Sequence, residues 1–236
     1  MDLDRSDCYQ PYSQYLARGY KGGPVTTVEV TATRPGGRWW PVAGVVSALL
    51  FTVTVALIGD TGATAADTAR MLPQHEQALF AAFVTGTLSM IALLVFFAWL
   101  NEVIRVAAPQ QTVLARLSLA AAIAMAALLP GSLGILEGIA QAGKDTALSP
   151  AVASFANNAQ FLFLAAGVMF GGVAVFCAMF ALKGTQAVPS WLCWSGMVVG
   201  VLALGAIFFV PILLFFLWLL IAGIVLLASQ SRTIAR

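Results

Sequence analysis

Charge is what this sequence has least of. Lys, Arg, Asp and Glu make up 9% of its 236 residues, against about 25% in an ordinary soluble domain. It has a single histidine, His75. No HExxH, no GxSxG, no Walker loop and no aspartate-rich phospholipid-synthase pattern occurs. A serine–histidine intramembrane protease needs a histidine within a span, and His75 falls in a polar connection. His75-Glu76 is a poor chelate, because adjacent residues diverge and no second histidine helps. The balance leans away from an enzyme, and no metal or cofactor is expected. Cysteine is also sparse: Cys8, Cys177 and Cys193, with no CxxC. That argues against a disulfide framework or a zinc site. Cys177 and Cys193 read as small apolar packing residues. Net charge is only +2. Without a dense Lys/Arg patch, nucleic acid is not a partner.

What is present is apolar. Hydrophobic residues make up 60% of the chain, and mean hydropathy is +0.90. A soluble fold of this length cannot hide so much apolar surface, whereas a lipid bilayer tolerates it. The expected fold is therefore an all-α membrane protein. A spanning helix needs about 20 apolar residues, and the sequence supplies six such runs. They are residues 39–58, 78–100, 117–136, 161–182 with an extension back to about 155, and a long stretch from 191 to 228. Pro211 divides the last of these. It lacks a backbone donor and disfavours helix at Val210, which predicts a tight hairpin there. Three domains follow: a disordered polar tail over 1–38, a six-helix transmembrane domain over 39–229, and a short tail over 230–236.

Two readings of the N-terminal region compete with a genuine tail. Residues 39–58 could belong to a signal peptide cut at Ala63-Thr64-Ala65, although the run is long for that role. Lys21-Gly22-Gly23 can also be encoded by a ribosome-binding sequence, which would put the start at Val25. The intact mass of the native protein separates these readings.

Ten of the twelve basic residues fall on one side of the predicted spans. They are Arg5, Arg18, Lys21, Arg34, Arg38, Arg105, Arg116, Lys183, Arg232 and Arg236, leaving Arg70 and Lys144 opposite. The positive-inside rule then puts both termini in the cytoplasm. Trp39, Trp40, Trp99, Trp191 and Trp194 gather at the same interface, where an amphipathic indole is stable.

Helices in lipid associate through close packing and small residues. Gly44, Ala48 and Thr52 recur at helical spacing in the first span, and Ala120, Ala124 and Ala127 in the third. Gly167, Gly171, Ala174 and Ala178 do so in the fourth, and Gly196, Gly200 and Ala203 in the fifth. The sixth span is mostly Leu, Ile and Phe and is expected at the periphery. Pro130-Gly131 predicts a bend in the third span.

No ionisable residue falls at mid-membrane, so a proton relay or voltage sensor has little support. One polar group remains. Glu137, Asn157, Asn158 and Gln160 are expected to meet at the outer lip, where the third and fourth spans approach. They form either an ordinary wet helix end or a shallow site for a cation or polar ligand. A carboxylate near hydrocarbon needs donors, and the amides can supply them, so a tie from Glu137 to Asn157 or Asn158 is expected.

Three stretches carry a resemblance. They are Phe96-Phe97-Ala98-Trp99-Leu100, Val188-Pro189-Ser190-Trp191-Leu192-Cys193-Trp194-Ser195-Gly196, and Pro211 through Leu217-Trp218-Leu219-Leu220. The pattern P-x-W-L-x-W-x-G before P…L-W-L-L resembles uncharacterised six-span bacterial membrane proteins of a domain-of-unknown-function family. The likeness covers about residues 39–229. It implies a bacterial inner-membrane location and supplies no catalytic residues. The functional expectation is a non-enzymatic accessory or scaffold protein acting through lipid, a protein partner or a second copy. The alternative is a small-molecule or ion transporter or channel working as an oligomer.

Overall fold

In the computed structural model, residues 40–59 and 64–234 are described. The polar tail over 1–38, Trp39, Asp60 and Ala63 lie outside them. Helix accounts for 90% of the described structure, and no strand occurs among those residues. The helices are α1 (Val42–Ile58), α2 (Ala65–Gln74), α3 (Glu76–Ala107), α4 (Thr112–Asp145), α5 (Pro150–Leu182), α6 (Ser190–Leu202) and α7 (Val210–Ile234), with a 3-10 turn over Ala203–Phe208 prolonging α6.

Five helical stretches are long and apolar enough to cross a membrane: α3, α4, α5, α6 with its 3-10 extension, and α7. The chain is thus a multi-pass helical membrane protein. The remaining apolar helix, α1, has 17 residues and a length of about 26 Å. By contrast α3, α4 and α5 have 32, 34 and 33 residues and reach about 50 Å each. That exceeds a hydrocarbon core of about 30 Å, so these three helices continue well past it. Hydropathy detects only their apolar middles, which is why the predicted spans were shorter.

Polar side chains lock the first helix to the third. Ser89 Oγ donates to the Ser47 carbonyl at 2.8 Å, and the two serine hydroxyls lie 3.3 Å apart. Two turns on, the Thr54 and Thr85 hydroxyls meet at 3.0 Å. Ser47, Thr54 and Ser89 are buried, and hydroxyl bonds of this kind join helices in lipid. The α1 packing stripe therefore runs Gly44, Ser47, Ala48, Phe51, Thr54. Thr52, expected on that stripe, is exposed and donates to the Ala48 carbonyl at 2.9 Å. Ser89→Ala is expected to lower stability by about 0.5–2 kcal/mol, read as a shift in thermal unfolding in detergent.

The fourth and fifth apolar helices meet backbone to backbone. A Cβ on Gly172 would lie 2.6 Å from the Gly200 carbonyl oxygen, and one on Gly200 would lie 2.7 Å from the Gly172 carbonyl oxygen. Only glycine permits that approach of backbones. Elsewhere Ser118 Oγ crosses from α4 to the Ala174 carbonyl of α5 at 2.8 Å. Helix α4 runs unbroken through Pro130.

The helix after the hairpin is not peripheral. Ile212, Phe215, Trp218, Leu219 and Ala222 of α7 are all in the main core, and Trp218 Nε1 donates to Ser195 Oγ of α6 at 3.1 Å. Composition misled here, because close contact is made by glycines on the partners: Gly171 lies under Phe215 and Gly196 under Trp218. The opposite α7 face, with Leu213, Leu217, Ile221 and Ile224, is exposed. The hairpin reverses at Phe209, whose φ is +60°, a strained region for a bulky residue. Phe209 N–H donates to Ala206 and the Phe209 carbonyl accepts from Ile212. Pro211 brings no donor of its own. From Val198 to Leu217 no side chain is polar.

Candidate functional site

The end of the bundle expected to form the outer lip is built by the ends of α3, α4 and α5 together with α2. Helix α2 was not expected; its residues read as connection. Its start is set by Thr64, whose Oγ1 accepts from the Asp67 N–H at 3.2 Å and donates to the Asp67 carboxylate at 2.6 Å. Thr64-Ala65-Ala66-Asp67 is a capping signal that the sequence already carried. Leu72 of α2 then packs with Leu79, Leu136 and Ala140 in a small core separate from the main one. His75, exposed, ends α2 with its Nδ1 3.0 Å from the Met71 carbonyl.

The next connection is also well defined. Ser149 caps α5 by accepting from the Val152 N–H at 3.3 Å, with Pro150 in the first turn. Lys144, in the last turn of α4, pairs with Glu76 in the first turn of α3 at 2.5 Å. Both charges suit their helix dipoles. Lys144 is half exposed, so the pair contributes at most about 1 kcal/mol.

Glu137 is half-buried and accepts from Gln141 Nε2, one turn along the same helix. The expected tie to the next helix is not made: among the described residues no hydrogen bond joins Glu137 to Asn157 or Asn158. The helical repeat explains this. Glu137 is one turn after Leu133, which lies against Gly86 of α3, and two turns before Lys144, which reaches Glu76 of α3. Residues at this spacing share a flank, and that flank faces α3. Asn157 is half-buried and Asn158 exposed on α5. Gln160 is buried, at 9% exposure, on the same α5 face as Ala153 and Ala156. No hydrogen bond among the described residues joins the four into one cluster. A double-mutant cycle of Glu137→Ala with Asn157→Ala is expected to be additive within about 0.5 kcal/mol in thermal unfolding.

Among the described residues, no three of His, Cys, Asp and Glu come together in a way that could hold a metal. No charged side chain among them is buried. At the opposite end of the bundle, Lys183 Nζ sits 4.0 Å above the Trp194 ring. Trp40, Trp191 and Trp194 are exposed. Trp99 Nε1 and Asn101 Oδ1 are buried there without a partner.

Two features of the site escaped sequence reasoning. One is the hydroxyl pairing of α1 with α3, for which Ser47 and Thr54 seven residues apart and Thr85 and Ser89 four apart were the available signal. The other is a groove between α1 and α7, which no local pattern encodes. Comparison with protein-family models, curated proteins and solved structures finds no match for the chain.

Proposed function

We propose that this is a non-enzymatic accessory or scaffold protein of the bacterial cytoplasmic membrane, acting through a protein partner or lipid. It crosses the membrane six times, with α1 as the shortest span and both termini in the cytoplasm. The observation that carries the reading is the state of the buried polar groups within the bundle. Ser47, Thr54, Ser89, Ser118 and Ser132 are all engaged in hydrogen bonds that join or stiffen helices. A charge-free interior with its hydroxyls spent in this way favours a packed bundle over an ion or proton path. The ten-to-two split of basic residues and the Lys183–Trp194 contact support the orientation.

Two experiments test this. In a background lacking the three native cysteines, single cysteines at the exposed positions Ala66 and Ala147 should react with an impermeant thiol reagent on intact cells. One at Gln186 should react only after permeabilisation. Labelling of Gln186 from outside would sink the topology. For function, the tagged chain drawn gently from cells should bring down a stoichiometric protein or lipid. The purified chain in sealed vesicles should add no solute or ion permeability, and a flux above that of empty vesicles would defeat the scaffold reading.

A further inference from the structure

The links from α3 to α4, α4 to α5 and α5 to α6 all carry polar residues: Gln110-Gln111, Thr146 with Ser149, and Lys183 through Gln186. A turn in water is built from residues of this kind. The reversal between α6 and α7 has none, and the polar side chains that flank it in the chain are Ser195 and Trp218. At its tip Leu204, Ile207, Phe208, Phe209 and Val210 are exposed. Phe208, at 80%, is the most exposed large apolar side chain among the described residues. Phe209 holds a φ of +60°, a conformation that a turn in water gives to glycine or asparagine. Its N–H donates to the Ala206 carbonyl at 3.1 Å and its carbonyl accepts from Ile212 at 2.9 Å. Only this residue separates the 3-10 turn from α7. The reversal therefore contains no irregular loop, the form that hydrocarbon excludes.

Distances along the helices agree with an apolar setting. Gly172 of α5 and Gly200 of α6 meet backbone to backbone, which gives a common origin. From Gly200 the chain carries Phe208 about 15 Å along the bundle. From Gly172, α5 reaches its first amide, Gln160, after about 18 Å. Leu129 of α4 lies against Gly167, which puts Glu137 about 20 Å from the same origin. In the other direction Trp194 and Trp191, both exposed, lie about 9 and 14 Å away. From these indoles to Gln160 and Glu137 is about 30 Å, the thickness of a hydrocarbon core. The tip stops short of that second boundary, while α5 continues to Pro150, about 33 Å from the origin.

We propose that the α6–α7 tip turns inside the hydrocarbon of the bilayer, its side chains against lipid tails, and that neither helix emerges into water at this end. The tip is covered by the lipid that bathes the rest of the pair. Its apolar surface runs without interruption into the exposed Val198 and Val201 of α6 and Leu213 and Leu217 of α7, both helices being apolar enough to span. The proposal rests on the multi-pass reading and not on which end of the bundle is cytoplasmic.

The test is spin-label accessibility in nanodiscs of palmitoyl-oleoyl phosphatidylcholine, which leave both membrane faces open to solvent. The full chain with Cys8→Ser keeps only Cys177 and Cys193, both buried, and receives one further cysteine at a time. Collision with oxygen, which concentrates in lipid, is compared with collision with a water-soluble nickel chelate. Labels at Phe208→Cys and, independently, Val210→Cys should meet nickel at least tenfold less often than one at Ala147→Cys, and oxygen more often. These positions are exposed, so no core contact is lost. Ile123→Cys, exposed on α4, calibrates the lipid interior. Nickel reaching Phe208 and Val210 as freely as Ala147 overturns the proposal and leaves the spans standing. Nickel reaching Ile123 as well overturns the membrane reading with it. Low collision with both reagents at the tip also overturns the proposal, because another polypeptide then covers it.

Discussion

Leucine at Gly172 or at Gly200 is expected to leave no folded protein. Each glycine faces the other's carbonyl oxygen, and a Cβ at either position would sit 2.6–2.7 Å from it. The obstruction is backbone, so no rotamer change relieves it. At Gly172 the Cβ would also meet the Ala203 Cβ at 2.6 Å, and at Gly200 the Phe176 backbone nitrogen at 3.1 Å. Helices α5 and α6 must therefore separate. Alanine, the smallest intrusion, should still cost about 1–3 kcal/mol, after partial offset by its better helix propensity. Leucine adds three more carbons to the same collision. Gly138 supplies the control, because nothing lies within 4 Å of its Cβ position. Gly138→Ala should be neutral or stabilising by up to about 1 kcal/mol. Thermal unfolding in detergent and recovery of a monodisperse peak give the readout. A Gly172→Ala protein as stable as wild type would refute the close approach.

The second large effect is expected at Leu72. This side chain is 2% exposed and holds α2 onto Leu79, Leu136 and Ala140. Burying a leucine and then truncating it costs about 2–5 kcal/mol. The cluster has few members and lies apart from the main core, so the loss should appear as local undocking of α2 rather than global unfolding. Arg70 on α2 is exposed and gives trypsin a cut site once the helix opens. If cleavage follows the open population, a loss of about 2 kcal/mol should raise the cutting rate at Arg70 roughly thirtyfold. The main bundle should keep its thermal transition. Trypsin cutting wild type and Leu72→Ala at the same rate would show that α2 does not depend on this contact.

Much of the membrane architecture was readable because its cause is local. Scarce charge and runs of about 20 apolar residues mark helices that lipid can accept. Pro211 marks a reversal, and the structure turns at Phe209, two residues earlier. Glycine and alanine at helical spacing marked α5 and α6 as close-packed; Gly200 belongs to the expected α6 stripe, while its partner on α5 is Gly172, next to the expected Gly171 and not on that stripe. The full lengths of α3, α4 and α5 were not readable, since their end turns are too polar to extend an apolar run; at one end of the bundle those turns pack with α2. Helix α2 had a legible cap at Thr64 and Asp67 but too short an apolar pattern to stand on its own. Its order depends on Leu136 and Ala140, more than sixty residues away.

The sequence by itself determined that the chain is helical and apolar along several spans, because the solvent requirement of each segment is a property of its own residues. Tertiary structure alone decided which flank of each helix meets which neighbour. Glu137 turned toward α3 and away from the asparagines, because its rotation follows from how Leu133 and Lys144 seat on α3. Thr52 faced outward while Ser47 and Thr54 faced α3, because hydroxyls at two-turn spacing found partners at Ser89 and Thr85. The groove between α1 and α7 arose the same way. It is the space left where Phe51 and Phe216 stack and small residues on α1 do not reach the leucines of α7, and no window of sequence contains both of its walls.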